Sequence, residues 1–320
     1  MEKKLPSVSF IVTVYNKENY LERVLKALKE QKGNFDKEYI FIDDCSTDNS
    51  LQVLRKLTKG WKNLIIIVHE KNQGLCEATK TGIKAAKNDY VKLLDADDVL
   101  MPEATRILLE ACIKYDCKGA VARHAKFENL AIIDRFTKNE VSAINDNNPI
   151  LVMRKPLKQA IEGHIFTHFN SQSILESSLA KKLINTLDFC RGHQDCILAI
   201  GVSMYADIAF VDGLAIYEYD QDEYKLSVMD EDIVNYNRLK ILYNYVKKYP
   251  FTEVEIKWFI SEFIKLIRLE EKSRLKRKNF RKIRYIFSKI LKIKKEKNIQ
   301  NNYIEIFEKY LEMFKNKYNY

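Results

Sequence analysis

Asp95, Ala96 and Asp97, with Asp98 adjacent, close the apolar run Tyr90–Leu94. Alternate carboxylates at a strand end can jointly hold a hard divalent cation, Mg²⁺ or Mn²⁺, bridged to a diphosphate. Such a cation screens negative charge building on a departing phosphate. An acidic turn that caps the next helix would use the same residues, so the bare pattern leaves both readings open. Asp43 and Asp44 close a second apolar run, Glu38–Ile42, and Thr13, Tyr15 and Asn16 close a third, Val8–Val14. Either aspartate can accept a hydrogen bond from a base imide N–H or cap a helix, and the Tyr15 ring can stack on a base or simply pack. His164 and His168 stand four apart in GHIFTHF but lie in no HExxH pattern. No GxxxxGK[ST] or GxGxxG loop is present, and the six cysteines form no CxxC pair.

The elements that must position these groups alternate. The run Val8–Val14 reads as a strand buried on both faces. Asn19 is placed to cap a helix reaching Gln31, with Tyr20, Leu21, Val24, Leu25 and Leu28 on one stripe. A strand at Glu38–Ile42 leads to cap residues 46–50 and a helix over Ser50–Leu57. A strand at 63–68, a helix at 74–86, a strand at 90–94 and a helix from Pro102 to Lys114 follow. The expected fold class is α/β, a doubly wound, mostly parallel sheet, in which ligands bind at the carboxyl ends of the strands. One edge would collect the five carboxylates Asp43, Asp44, Asp95, Asp97 and Asp98, poor for stability and good for a site.

Beyond residue 118 the pattern is mixed. Val121–Phe127 reads as a strand, 145–156 as turn-rich chain, Ser177–Leu187 and Asp195–Tyr205 as helices. Ile208–Val211 and Leu214–Tyr219 read as strands around an Asp212-Gly213 turn. After 231 the chain is rich in Lys, Ile and Tyr and is expected to be helical to the end.

The 320 residues carry 54 Lys+Arg against 44 Asp+Glu, which first suggests a polyanionic partner. Residues 271–300 alone hold 13 basic and 2 acidic groups, leaving 38 basic and 39 acidic in residues 1–270. The body is neutral and the basic character is one C-terminal stretch. Its apolar residues Ile283, Ile286, Phe287, Ile290, Leu291 and Ile293 recur at helical spacing, suiting either an anionic membrane surface or packing on the body. No nucleic-acid-binding motif accompanies it. An apolar fraction of 46% with 31% charged residues excludes a disordered chain and a membrane-embedded one. The start lacks a signal-peptide h-region, so a cytoplasmic protein, peripheral at the inner face of the inner membrane if the basic stretch binds lipid, is the expectation.

VSFIVTVYN (8–16), FIDDCSTD (41–48), NQGLCEATKTGI (72–83) and LLDADD (93–98), in this order and each at a strand end or helix start, closely resemble the nucleotide-sugar half of family 2 glycosyltransferases of the GT-A fold, as found in bacterial surface-polysaccharide synthesis. The resemblance covers residues 5–115 well and extends more loosely to 230. It implies a GT-A-like domain over 1–230, with a nucleotide-sugar half (1–118) and an acceptor half (119–230), before a helical, basic region (231–320). It implies inverting transfer of a sugar from a nucleotide-diphosphate donor, a UDP-sugar above others, to a hydroxyl of a glycan or lipid-linked glycan in capsule or lipooligosaccharide synthesis. Thr13, Tyr15, Glu18, Asp43 and Asp44 would line the nucleobase and ribose pocket. Asp95 would approach ribose and metal, and Asp97 would be the main ligand of Mn²⁺ or Mg²⁺. The family usually carries Ala-Arg-Asn in the helix after the third strand; here Ala78, Thr79 and Lys80 stand there, so Lys80 would supply the cation as a point charge. Asp195 in GHQD (192–195) would be the general base, with Gln194 in place of the usual Glu lowering its pKa relative to a Glu-Asp pair. Asp195 could otherwise serve only as an N-terminal helix charge, and His193 as a surface residue or an acceptor contact. A nucleotidyltransferase would share the alternating fold and acidic site but would need a Gly-rich basic loop, which Tyr15-Asn16-Lys17 does not supply. A catalytically silent membrane-associated scaffold would need neither metal nor base.

Overall fold

In the computed structural model, strand β1 (Val8–Val14) lies between β2 (Lys37–Asp43) and β4 (Tyr90–Asp95), parallel to both. The structure describes residues 4–127, 150–153, 171–184, 198, 201–202 and 205–219. The chain divides into two compact units, Met1–Met229 and Asp230–Tyr320. The second, with the basic stretch 271–300, lies outside the described residues.

β3 (Leu64–Val68) pairs parallel to β2, so the first half of the sheet runs β3-β2-β1-β4 with every pair parallel. Helices α1 (Leu21–Lys29), α2 (Ser50–Leu57) and α3 (Leu75–Ala85) make the crossovers. This is the doubly wound α/β arrangement expected, with all four strand ends on one edge. The sheet continues through β8 (Ser173–Glu176), β6 (Gly119–Phe127), β9 (Ile208–Tyr219) and β5 (Val99–Leu100), with β7 (Ile150–Met153) on β9. There β6–β9 is parallel, while the β4–β8, β6–β8, β5–β9 and β7–β9 pairs are antiparallel. Helix α4 (Ala104–Tyr115) precedes β6, and α5 (Ser177–Leu183) follows β8.

Burial explains the parallel core. Six of the seven β1 residues are buried and Thr13 is half-buried, as a strand covered on both faces requires. Phe10, Val12 and Val14 share a core with Leu21, Val24 and Leu28 of α1. On α3, Gly82 allows close approach: a Cβ there would lie 2.2 Å from Ile11 Cγ2 and 2.8 Å from Ile42 Cδ1.

Four local expectations change. Asn19 does not cap α1; the helix starts at Leu21, and the amides of Tyr20 and Leu21 donate instead to the Lys17 carbonyl. Pro102 precedes α4 rather than opening it, since the helix begins at Ala104. Asp212-Gly213 is no hairpin turn. Residues 208–219 form one strand along β6, and the register jumps from Ala122↔Val211 to Arg123↔Leu214, so the pair is absorbed as a bulge. Within the turn-rich 145–156, Ile150–Met153 forms a strand because β9 offers it a partner.

Candidate active site

The parallel register brings the predicted groups together before any side chain is considered. Thr13 is level with Ile42 and with Asp95, Val14 is level with Asp43, and Asp43 is level with Val68. Thr13 Oγ1 faces Asp95 Oδ1 at 3.5 Å.

The two loops after β1 and β2 are zipped together. Asn16 takes a left-handed backbone (φ 54), which asparagine tolerates better than most residues. Its Oδ1 accepts the Thr47 amide at 2.8 Å, and its own amide donates to Ser46 Oγ at 3.1 Å. The Lys17 amide donates to Ser50 Oγ at 2.6 Å. Glu18 and the start of α2 lock reciprocally: the Glu18 amide donates to Asp48 Oδ2 at 3.2 Å, and Glu18 Oε2 accepts the Asn49 amide at 2.9 Å. Burial works against the Asp48 charge, but hydrogen bonds from Ser50 and from the Glu18 amide outweigh it and hold its pKa below the usual carboxylate range. Glu18 therefore ties the two loops together just before α2. Tyr15, 43% exposed, stands free of this lattice with its ring available to solvent.

Asp43 and Asp44 have separate tasks. Asp43 is 1% exposed; its Oδ2 accepts the Ser46 amide at 3.2 Å, while its Oδ1 is enclosed and has no hydrogen-bond partner among the described residues. Such an orphaned buried acceptor costs free energy and marks a place where a donor is wanted. Asp44 is fully engaged: Oδ1 meets His69 Nδ1 at 2.7 Å and the Gln73 amide at 2.9 Å, and Oδ2 accepts the Gly74 amide at 2.7 Å. His69 Nε2 in turn lies 3.0 Å from Thr81 Oγ1. Asp44 thus shapes the loop leading into α3, where Gly74 takes φ 86. Lys71, Asn72, Gln73, Gly74 and Glu77 line an open pocket of about 340 Å³ on this loop. Lys80, buried on α3, donates to Glu77 Oε1 at 2.6 Å, which places its ammonium beside that pocket.

At the end of β4, the Asp95 amide donates to Ser171 Oγ at 3.1 Å and the Asp98 amide to the Asp95 carbonyl at 3.1 Å. Asp97 is paired with Lys17, whose Nζ lies 2.5 Å from Asp97 Oδ2, both side chains about a quarter exposed. Burial works against the Lys17 ammonium, yet Asp97 and then Asp95 outweigh it, so its pKa stands above the ordinary lysine value. Among the described residues no group of three or more His, Cys, Asp or Glu side chains could enclose a metal. Two carboxylates in one turn nevertheless suit a cation that keeps its waters and takes substrate phosphates as its remaining ligands, as Mg²⁺ typically does. The donor set fits that role.

The strand behind this turn holds an unexpected charge. Lys92 is fully buried and donates to the carbonyls of Ser171 and, at 3.0 Å, Ser173, tying β4 to the segment that supports Asp95. Burial drives its pKa down to about 7, against the pull of Asp98. In the unfolded chain the lysine returns to about 10.4. Between these values the unfolded state binds the extra proton, so stability rises with pH across that window. The urea midpoint of the wild type should climb from about pH 7 to about pH 9.5, and Lys92→Met should flatten the climb, as followed by circular dichroism.

Asp195, His193, His164 and His168 lie outside the described residues. The groups that sequence reasoning passed over are Lys17, His69 and Lys92. His69 obeys the same rule as the predicted residues, a polar group just past an apolar strand. Lys17 stands next to Asn16 on a loop already singled out.

The glycosyl transferase family 2 model matches residues 9–172. The chain is 27% identical over 190 residues to chondroitin synthase from Pasteurella multocida (strain Pm70), covering 58% of this chain and 18% of that protein. It is 33% identical over 134 residues to poly-beta-1,6-N-acetyl-D-glucosamine synthase from Staphylococcus aureus (strain MSSA476), covering 41% and 31% respectively. The putative glycosyltransferase EpsH of Bacillus subtilis (strain 168) is 34% identical over 98 residues, 31% of this chain and 28% of that one. The chain thus spans less than a third of these curated relatives. Among solved structures, S. aureus TarS 1-349 superposes with a TM-score of 0.62 at 16% identity over 96% of this chain and 92% of that one. Its complex with UDP-GlcNAc gives 0.62 at 19% identity over 81% and 72%. No helix among the described residues is long and apolar enough to cross a membrane. With the family match running over half its length and the fold superposing on that of TarS, the chain belongs to glycosyl transferase family 2 and has the GT-A fold.

Proposed function

We propose that the chain is an inverting, metal-dependent transferase that moves a sugar from a nucleotide-diphosphate donor, a UDP-sugar above others, to a hydroxyl of a glycan or lipid-linked glycan. The observation that carries this reading is the single edge on which the parallel register gathers Thr13, Asp43 and Asp95, with Asp97 in the turn that follows and Asp43 Oδ1 buried and unpartnered among the described residues. A uracil imide N–H is a donor of the kind that Oδ1 lacks, once the pocket opens to admit it. Tyr15 offers a face for stacking, and Lys80 on the Asn72–Gly74 side offers a cation near the donor. The complexes of S. aureus TarS with UDP and UDP-GlcNAc support a uridine donor.

Asp95 and Asp97 would hold Mn²⁺ or Mg²⁺, which when bound supplies Lewis-acid stabilisation of the leaving diphosphate. Asp97 would offer its oxygens to the cation, and Asp95, whose Oδ1 faces Thr13 and whose amide donates to Ser171, would serve metal and ribose. In direct displacement the acceptor hydroxyl attacks the anomeric carbon as the bond to the diphosphate oxygen breaks. Asp195 takes the hydroxyl proton, the role the GHQD segment at 192–195 suggests. Residues 1–118 serve the donor and 119–230 the acceptor. The basic stretch 271–300, at ~1 kcal/mol per near-surface Lys or Arg, would hold the protein peripherally on the anionic cytoplasmic face of the inner membrane, beside a lipid-linked acceptor in capsule or lipooligosaccharide synthesis.

A thermal-shift panel tests the donor side. With Mn²⁺ present, UDP and UDP-sugars should raise the melting temperature in a concentration-dependent way, and GDP, CMP and dTDP should do so less. Equal shifts with all four, or none with any, would remove the uridine assignment.

A further inference from the structure

Lys17 stands in direct contact with Asp97 of the Asp95–Asp97 turn. Its Nζ sits on Asp97 Oδ2, and its ammonium also feels the charge of Asp95. An ammonium and a metal ion drawn to the same carboxylate repel each other, so the Lys17–Asp97 pair weakens an Asp97–cation bond. The backbone of Lys17 is fixed: its amide donates to Ser50 Oγ at 2.6 Å, and its carbonyl accepts from Tyr20 and Leu21. Only the four-carbon stem can move, and its quarter exposure gives it solvent to move into. One ammonium against two carboxylates leaves an excess of negative charge that draws a cation in. Once a divalent ion has entered, the same three side chains and the ion carry an excess of positive charge that matches a diphosphate.

We propose that Lys17 is the resident counter-ion of Asp97, displaced by the entering divalent cation and then re-paired to the donor diphosphate. The inference rests on the metal reading above. It makes Lys17 a binding residue that opposes the metal when the site is empty and supports the donor when it is full. Nothing covalent is involved: one ion pair is exchanged for another.

Mn²⁺ binding to the full chain, read from the loss of the free Mn²⁺ signal in electron paramagnetic resonance, tests the exchange without any turnover. Lys17→Met should bind Mn²⁺ alone about fivefold more tightly than the wild type, the order of magnitude of one partly exposed ion pair. In saturating Mn²⁺ it should bind UDP about fivefold more weakly. Lys17→Arg, which keeps the charge, should stay near the wild type in both, and matching far-UV spectra would show that all variants fold. Unchanged or weaker Mn²⁺ binding by Lys17→Met overturns the proposal. A wild type that binds no Mn²⁺, or an Asp97→Asn variant that binds it as the wild type does, overturns the metal reading itself and the proposal with it.

Discussion

Asp97→Asn should lower turnover of the nucleotide-sugar donor by about 10²–10³-fold and abolish its response to Mn²⁺, while the fold survives. The substitution keeps the shape of the side chain and removes the charge that a hard cation requires. The loss in rate is large because the stabilisation it removes acts on charge that develops as the diphosphate departs. The cost in stability is small, within about 1 kcal/mol, because the Lys17–Asp97 pair is partly exposed and such pairs contribute little. Steady-state kinetics over a Mn²⁺ series, with urea unfolding of the same preparation, separates the two effects. A variant that unfolds, or one that keeps its metal response, would count against Asp97 as the ligand.

Asp195→Asn gives the complementary result. Transfer should fall by about 10²–10⁴-fold, the usual contribution of a positioned general base, while the affinities for UDP and Mn²⁺ should stay at wild-type values. The difference follows from when each group acts. On the proposed mechanism Asp97 would meet the donor complex from binding onward, whereas Asp195 would act only as the acceptor hydroxyl gives up its proton. The acid limb of the pH–rate profile should also disappear, since no carboxylate remains there to be protonated. Isothermal titration with UDP and Mn²⁺ beside initial-rate measurements checks both parts. Loss of donor affinity in Asp195→Asn would reassign the residue to a structural or donor-binding role.

Sequence reasoning reached the site through strand ends. Continuous apolar runs such as Val8–Val14 and Tyr90–Leu94 have few alternatives to buried parallel strands, so the polar residues that follow them fall on one edge. Thr13, Asp43, Asp95 and Asp97 follow from that logic alone. The identity of each partner does not. Asp43 and Asp44 are adjacent and alike in sequence, yet one keeps an orphaned oxygen and the other is bound by His69, Gln73 and Gly74 from a loop about thirty residues away. Glu18 is drawn to the α2 amides and Lys17 to Asp97 by loops that meet only after the sheet has formed. Lys92 is hidden for a different reason. One lysine in a short apolar strand reads as an edge or solvent-facing position, and its burial depends on the Ser171 and Ser173 carbonyls that β8 brings beside it. The Asp212-Gly213 bulge is likewise set by β6, a strand some ninety residues earlier in the chain.

The most direct test of the whole account is proton NMR of a UDP-sugar incubated with the full chain and Mn²⁺, following both cleavage and the anomer that appears first. The account predicts Mn²⁺-dependent release of UDP with the sugar first appearing in the configuration opposite to that of the donor, and loss of that signal in Asp97→Asn. Release of the retained anomer would contradict direct displacement. If the protein neither bound a nucleotide diphosphate with Mn²⁺ nor cleaved any nucleotide sugar, the reading of the Asp95–Asp97 edge as a donor site would be wrong.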